Sequence, residues 1–250
     1  MSDLSVVVGG ASGIGAATVS KMLDRGDTVI GIDLHINDAP DGASWIEGDA
    51  SSNETWQKLA EMLKQIDRPV DNLIYGAAHL AIGRILDLDD EDWQRTFEVN
   101  ILGIVRCVKT VLPGMIKAGK GSIVTVGSID SVMAEQGLIA YCMSKGGIVQ
   151  FTRTLAMDYA RDGIRANCLC PGVTDTPLFR RHLASAKEPA QFLETREQRN
   201  PIGRLLRSEE IADAALYLAS QQSSGMTGAT MLVDGGLTAS FDFRTGAEGA

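Results

Sequence analysis

Tyr141 and Lys145 stand four residues apart in Tyr141-Cys142-Met143-Ser144-Lys145, and Ser128 lies thirteen residues upstream of the tyrosine, just past a short β-branched run. On a helix, positions i and i+4 share one face, so the Lys145 ammonium can lie near the Tyr141 phenol and favour its ionised form. The chemistry this offers is general-base catalysis. An unperturbed tyrosine titrates near ~10, so work as a base near neutrality asks for a shift of about 3 units, roughly 4 kcal/mol of differential stabilisation. Alone, Tyr-x-x-x-Lys also fits a solvated or half-buried pair on any helix, and its weight here comes from the company it keeps.

That company begins at the N-terminus, where the run 4–8 passes directly into Gly9-Gly10-Ala11-Ser12-Gly13-Ile14-Gly15 and then into a helical pattern. Glycines permit a tight turn and close backbone approach, and a helix N-terminus offers free N–H groups and a positive dipole end to a pyrophosphate. Twenty residues after Gly13, Asp33 closes the second apolar run. A carboxylate there accepts hydrogen bonds from an adenosine ribose diol and repels a 2′-phosphate, and Leu34 and His35 follow with no Arg or Lys to neutralise one. The expected cofactor is therefore NAD rather than NADP.

Such residues need strands ending behind them and helices starting in front of them. Short apolar runs alternate with longer amphipathic stretches from end to end, the rhythm of a parallel sheet covered by crossover helices. Strands are expected over 4–8, 28–32, 44–47, 72–75, 122–126, 165–169 and 229–233, and helices over 14–25, 53–65, 90–116, 141–160 and 209–220. The fold class is α/β, a three-layer doubly wound parallel sheet of about seven strands with helices on both faces. Ser51 to Glu54 has the spacing of a capping box, Ser208 is the expected cap of the last helix, and a break is expected near Pro113. Residues 177–207 fit no period and read as an insertion; the tail 237–250 is small and polar, with two Phe.

Composition bounds the rest. The chain has 250 residues, 44% hydrophobic and 22% charged, which suits one globular domain spanning 1–250. Its net charge of −9 argues against binding a phosphate backbone, since such affinity rests on Lys and Arg. No basic segment precedes an apolar run at the N-terminus, so a soluble, cytoplasmic protein with no membrane partner is expected. Cys107, Cys142, Cys168 and Cys170 form no C-x-x-C pair and read as reduced core thiols. His35, His79 and His182 are scattered away from other ligand types, which leaves no metal site; His79 could edge the active site.

Taken together, the sequence resembles the classical short-chain dehydrogenase/reductase family over nearly its whole length. The resemblance rests on Gly9, Gly13 and Gly15, Asp49 ending the third strand, Asn100 in Val-Asn-Ile-Leu-Gly, Ser128, Tyr141, Lys145, Pro171-Gly172, Thr176 and Val233-Asp234-Gly235-Gly236. It implies a Rossmann-like fold and a catalytic group of Asn100, Ser128, Tyr141 and Lys145. In that group Tyr141 exchanges a proton with the substrate oxygen, Ser128 hydrogen-bonds that oxygen, Lys145 binds the nicotinamide ribose and lowers the Tyr141 pKa, and Asn100 supports a water relay. The implied NAD site comprises Gly9, Ser12, Gly13, Ile14, Gly15, Asp33, Asp49, Ala50, Ala77, Tyr141, Lys145, Pro171, Thr174 and Thr176, with Asp49 and Ala50 flanking adenine and the two threonines meeting the carboxamide.

The implied activity is interconversion of a secondary alcohol and a ketone on a small substrate. Assembly as a homotetramer or homodimer is implied too, through the two long helices. Phe97, Ile101, Ile104 and Val108 make one apolar face that could serve either a subunit contact or the sheet. Two other readings share these motifs: an NADP-linked 3-oxoacyl carrier-protein reductase, and a regulator that holds a dinucleotide without turnover.

Three departures from the family pattern stand out. Val8 replaces a threonine before the first glycine, Tyr75-Gly76-Ala77-Ala78 replaces Asn-Asn-Ala-Gly, and Met143 replaces a small residue. The insertion falls where the family carries its substrate lid, and it holds seven basic side chains against three acidic ones in an acidic chain. This suggests that a carboxylate, sulfonate or phosphate of the substrate is held by Arg180 or Arg181.

Overall fold

The protein is known from a computed structural model, and the structure describes residues 2–239. Seven runs form strands: β1 (Leu4–Val8), β2 (Thr28–Asp33), β3 (Ser44–Glu47), β4 (Asn72–Tyr75), β5 (Gly121–Val126), β6 (Ile164–Pro171) and β7 (Thr230–Val233). All pair in parallel, in the order β3-β2-β1-β4-β5-β6-β7. Val, Ile and Leu dominate the central strands because helices cover both sheet faces. The order reverses between β1 and β4, and a crevice opens there at the strands' C-terminal ends.

Side chains alternate between the two faces. Val6, Val8, Leu73, Tyr75 and Ile123 meet Trp56 and Leu59 of α2 (Asn53–Ile66) and Ile104, Cys107 and Val111 of α4 (Gly103–Ala118). Val7, Ile74, Val124 and Leu169 meet Val19 and Met22 of α1 (Gly13–Asp24) and Ile211 and Leu218 of α8 (Ser208–Ala219). Ile104 and Val108 are therefore buried on the sheet, which assigns their apolar face to the core. The stretch Asp90–Ala118 is long and apolar enough to match a membrane span by length and composition, and half of its most apolar window is buried inside the protein.

Beyond shifts of one or two residues at element ends, the structure departs from expectation in four places. Pro113 lies inside α4 without ending it; the interruption comes earlier, where α3 (Asp90–Phe97) passes into a π-helical turn, Glu98–Leu102, before α4. The cap of α2 is Ser52, whose hydroxyl accepts from the Glu54 N–H, because the Ser51 hydroxyl donates to Asp49. Helix α8 starts at Ser208 with Arg207 as its flanking residue, whose N–H donates to Glu210. Residues 177–207 hold two helices, α6 (Pro177–Ser185) and α7 (Pro189–Arg199), clamped by Phe179 and Phe192 with ring centroids 6.4 Å apart. Most of the tail 237–250, including both Phe, lies outside the described residues.

Candidate active site

Two neighbouring cavities open at the C-terminal edge of the sheet. The larger, about 740 Å³, is a groove running over the glycine turn from Asp33 and Asp49 to Ala77, Ala78 and Thr176. The smaller, about 160 Å³, is lined by Ser128, Asp130, Glu135, Tyr141, Lys145 and Arg196 among others. Ile14, Gly76, Ala78, Val126, Thr176 and Leu178 border both, so a ligand in the groove can meet one in the cavity.

The groove fits a dinucleotide in shape and charge. Gly9 has φ +76, and a Cβ there would stand 2.7 Å from the Ala77 nitrogen; at Gly15 one would stand 1.8 Å from the Gly9 carbonyl oxygen. Only glycine leaves that floor open. The Ser12 side chain makes no capping bond, so its hydroxyl and the first N–H groups of α1 face the groove unspent. Asp33 Oδ2 accepts from the Ala11 N–H at 2.8 Å and Oδ1 from the Leu34 N–H at 2.7 Å. A carboxylate has about four acceptor positions, so acceptor capacity for two hydroxyls remains.

Farther along the groove, Asp49 pairs with Arg95 at 2.8 Å beside Ala50. Burial pushes the Asp49 pKa up, but hydrogen bonds from Ser51 and Arg95 outweigh it and the net direction is down. Thr176 caps α6, and Thr174 Oγ1 donates to the Gly172 carbonyl at 2.9 Å. Both threonines, with Pro171, reach the smaller cavity.

Ser128, Tyr141 and Lys145 do meet on one wall. Tyr141 and Lys145 lie on α5 (Ile139–Tyr159), and Ser128 follows β5. Ser131 joins the two segments: its hydroxyl accepts from the Ser128 N–H and donates to the Lys145 carbonyl at 2.8 Å. The Lys145 ammonium lies 5.4 Å from the Tyr141 ring centroid and donates to the Val126 carbonyl at 2.7 Å.

The expectation of a lowered Tyr141 pKa is corrected by the packing around it. Burial comes first and the charge of Asp130 second, and both push the phenol well above its ordinary value, while hydrogen bonding to Ser128 pulls the other way. Burial likewise lowers Lys145 to about 8. One ammonium N–H goes to the Val126 carbonyl rather than to the phenol, and desolvation wins over the helical pairing.

Asn100 is fully buried and lines neither cavity. Its Oδ1 accepts from the His79 N–H at 2.7 Å, and its Nδ2 donates to the His79 carbonyl at 3.0 Å and to Ser144 Oγ at 2.9 Å. It thus ties the segment after β4 to α5. His79 edges the nucleotide groove, not the smaller cavity.

Of the departures from the family pattern, Met143 points outward, 59% exposed, and Val8 packs in the core while its carbonyl accepts from the Gly76 N–H. Tyr75 fills the core against Trp56 and donates its hydroxyl to the Val99 carbonyl.

Arg180 and Arg181 are not where the lid expectation put them. Arg180 is exposed and held by both carboxylate oxygens of Asp175, while Arg181 reaches the nucleotide groove. The arginine of 177–207 that lines the smaller cavity is Arg196, which lies 4.6 Å over Phe192 and is ion-paired with Glu135. His182 is beside it, its pKa lowered by burial. Reading the sequence missed Asp130 and Glu135. Only the position of Asp130, two residues past Ser128, could have marked it.

All four cysteines carry free thiols, and Cys168 Sγ and Cys170 Sγ lie 3.7 Å apart behind the site. Among the described residues no cluster of three or more His, Cys, Asp or Glu could hold a metal ion.

Known proteins resemble this chain. The chain matches the family described as Enoyl-(Acyl carrier protein) reductase over residues 9–238. It is 36% identical over 246 residues to the cis-4-hydroxycyclohexanecarboxylate dehydrogenase of Sinomonas cyclohexanicum, covering 94% of this chain and 96% of that protein. It is 33% identical over 248 residues to 2-(S)-hydroxypropyl-CoM dehydrogenase 3 of Xanthobacter autotrophicus, covering 95% and 97%. The ligand-free aldohexose dehydrogenase of Thermoplasma acidophilum superposes with a TM-score of 0.90 at 27% identity, covering 97% and 96%. With the glycine-floored groove, the seven-stranded parallel sheet and Ser128, Tyr141 and Lys145 on one wall, these matches place the chain in the short-chain dehydrogenase/reductase family of oxidoreductases.

Proposed function

We propose that the protein is an NAD(H)-dependent oxidoreductase that interconverts a secondary alcohol and a ketone on a small substrate. The observation that carries this reading is the placement of Ser128 and Tyr141 on a cavity that shares a wall with the glycine-floored groove. When bound, the nicotinamide ring supplies the two-electron acceptor or donor for the substrate carbon. The chain supplies orientation and proton handling. Tyr141 holds or releases the proton of the substrate oxygen, Ser128 fixes that oxygen, Lys145 positions the ribose side, and Asn100 holds the backbone around His79 and α5 in register.

Preference for NAD is supported at the adenosine end of the groove, which presents Asp33 and Asp38 with Leu34, His35 and Asn37 between them, while the nearby Arg95 is ion-paired with Asp49. A 2′-phosphate would meet two carboxylates, which weighs against the NADP-linked reductase reading. Retention of Tyr141 and Lys145 weighs against a binding-only regulator.

For the substrate, the reading extends to an anionic group at the far end of the cavity, held by Arg196 in exchange for Glu135. One relative named for a cyclohexanecarboxylate supports it, and a cavity of about 160 Å³ suits a single six-membered ring. Helices α6 and α7 serve as the lid in this reading. Pairing of copies through α4 and α5, as homotetramer or homodimer, is supported by exposed Ile116 on α4 and Ile139 and Met143 on α5.

The test is NADH absorbance on mixing the protein, NAD and a panel of secondary alcohols that includes hydroxycyclohexanecarboxylates. Turnover that vanishes in Tyr141→Phe supports the reading. Turnover surviving that change, or faster with NADP than with NAD, overturns it.

A further inference from the structure

Asp130 is a charged group on the cavity that the proposed reaction leaves without a task. It is buried, 8% exposed, and it forms no ion pair among the described residues, whereas the neighbouring Glu135 is neutralised by Arg196. Its carboxylate accepts one hydrogen bond among the described residues, from Ser128 Oγ to Oδ2 at 3.1 Å. Most of its acceptor capacity is open, and a buried carboxylate short of donors is costly unless a ligand provides them.

The hydrogen-bond account of Ser128 makes the requirement specific. Its single proton goes to Asp130, and one lone pair accepts from the Asp130 N–H at 3.1 Å. With substrate bound, the Ser128 proton turns to the substrate oxygen, whose own proton goes to Tyr141, and Asp130 Oδ2 is left to accept from another donor. Ser128 Oγ and Asp130 Oδ2 lie 3.1 Å apart on the cavity wall, so two substrate oxygens at a similar spacing can meet one each. Hydroxyl oxygens on adjacent carbons are spaced by about the same length. A neutral hydroxyl satisfies the carboxylate without the cost of burying a second ion, which sets it ahead of an ammonium.

We propose that Asp130 is a specificity-determining residue that accepts a hydrogen bond from a second hydroxyl of the substrate, on the carbon next to the one oxidised, so that the preferred substrates are vicinal diols. The proposal rests on the alcohol dehydrogenase reading and names the substrate class within it. Burial first, and the charge of Glu135 second, raise the Asp130 pKa to about 6, which keeps it an ionised acceptor at neutral pH.

The experiment compares ring-matched pairs: cis-cyclohexane-1,2-diol with cyclohexanol, and 3,4-dihydroxycyclohexanecarboxylate with 4-hydroxycyclohexanecarboxylate. Two readouts are taken on the full chain, kcat/KM with NAD and the Kd of each compound for the NADH-loaded protein. In the wild type the diol is expected to win in both by about tenfold or more. In Asp130→Ala, and in the near-isosteric Asp130→Asn should the first fold poorly, the diol should lose about tenfold more than its mono-alcohol partner.

Mono-alcohols binding as well as diols in the wild type, a diol preference that survives both substitutions, or tighter binding of 2-aminocyclohexanol than of the diol would each overturn the assignment. A protein that oxidises none of the four compounds yet binds diols through Asp130 would instead count against the dehydrogenase reading alone.

Discussion

The Tyr75 hydroxyl donates to the Val99 carbonyl at 2.7 Å, across the core from β4 to the π-helical turn that carries Asn100. A π turn is rare and interrupts the regular helical ladder. Tyr75 gives one of its carbonyls a side-chain donor, and it stands where the family pattern has an asparagine. Gly103 makes room for it: a Cβ there would lie 2.2 Å from the Tyr75 hydroxyl oxygen and 2.9 Å from the Ala50 carbonyl oxygen. Tyr75→Phe should therefore cost about 1 kcal/mol of stability. Gly103→Ala should cost about 1–3 kcal/mol, as overpacking does. The double variant should be less unstable than the sum of the two, because removing the hydroxyl relieves the tighter of the two clashes. Urea melts of the four proteins check this, and strict additivity would show that the contact is not shared.

Tyr141→Phe removes the phenol hydroxyl from the cavity wall while keeping its ring. Turnover should fall about 10²–10⁴-fold, with NADH affinity changed by less than about threefold. Fluorescence titration with NADH alongside steady-state assays separates loss of chemistry from loss of the site.

Asp33 accepts from the Ala11 and Leu34 N–H groups and so holds the glycine turn as well as facing the ribose end of the groove. Asp33→Asn keeps an acceptor and removes the charge. NADP should gain relative to NAD by about tenfold or more, the worth of relieving one unfavourable charge contact. The ratio of the two Kd values measures it, and an unchanged ratio would place cofactor choice elsewhere.

A pH profile should carry the signature of Asp130. The groups facing it are Ser128 and Glu135 near it in sequence, Tyr141 and Lys145 on α5, and Arg196 on α7. With its carboxyl raised from 3.8 to about 6, it binds a proton between those values in the folded chain and not in the unfolded one. Stability from this group is therefore present at low pH and falls as pH rises from 3.8 to 6. Asp130→Asn should be more stable than the wild type above pH 6, by on the order of 1–3 kcal/mol, and should lack an acid limb near pH 6 in kcat/KM for diols. A His182→Gln control separates that limb from the nearby imidazole, whose pKa burial lowers.

If Arg196 holds an anionic substrate group, Arg196→Gln should raise KM for a hydroxycyclohexanecarboxylate about tenfold or more, and raise that for cyclohexanol far less. Glu135→Gln frees the guanidinium and should lower KM for the acid. Equal effects on acid and neutral alcohol in both variants would reduce the pair to a lid fastening.

The primary structure alone determined the elements and singled out the candidate reacting groups. β1, β3 and β4 fall where short apolar runs bounded by turn residues put them, because strand burial on two faces is a local pattern. The glycine turn, Asp33, Ser128, Tyr141 and Lys145 were legible because each needs a fixed residue type at a fixed spacing from a strand or helix end. What tertiary structure decided is everything that depends on which segments meet. Arg180, Arg181 and Arg196 look alike as letters, but Asp175 holds the first, the second lies on the groove, and only the third, beside Glu135, reaches the cavity. The Tyr141 pKa could not be read from an i, i+4 lysine, since burial against α5's neighbours outweighs that pairing. Tyr75 could be seen to break a pattern but not to brace Val99, because a contact 24 residues away in the chain exists only once β4 and the π turn are packed together.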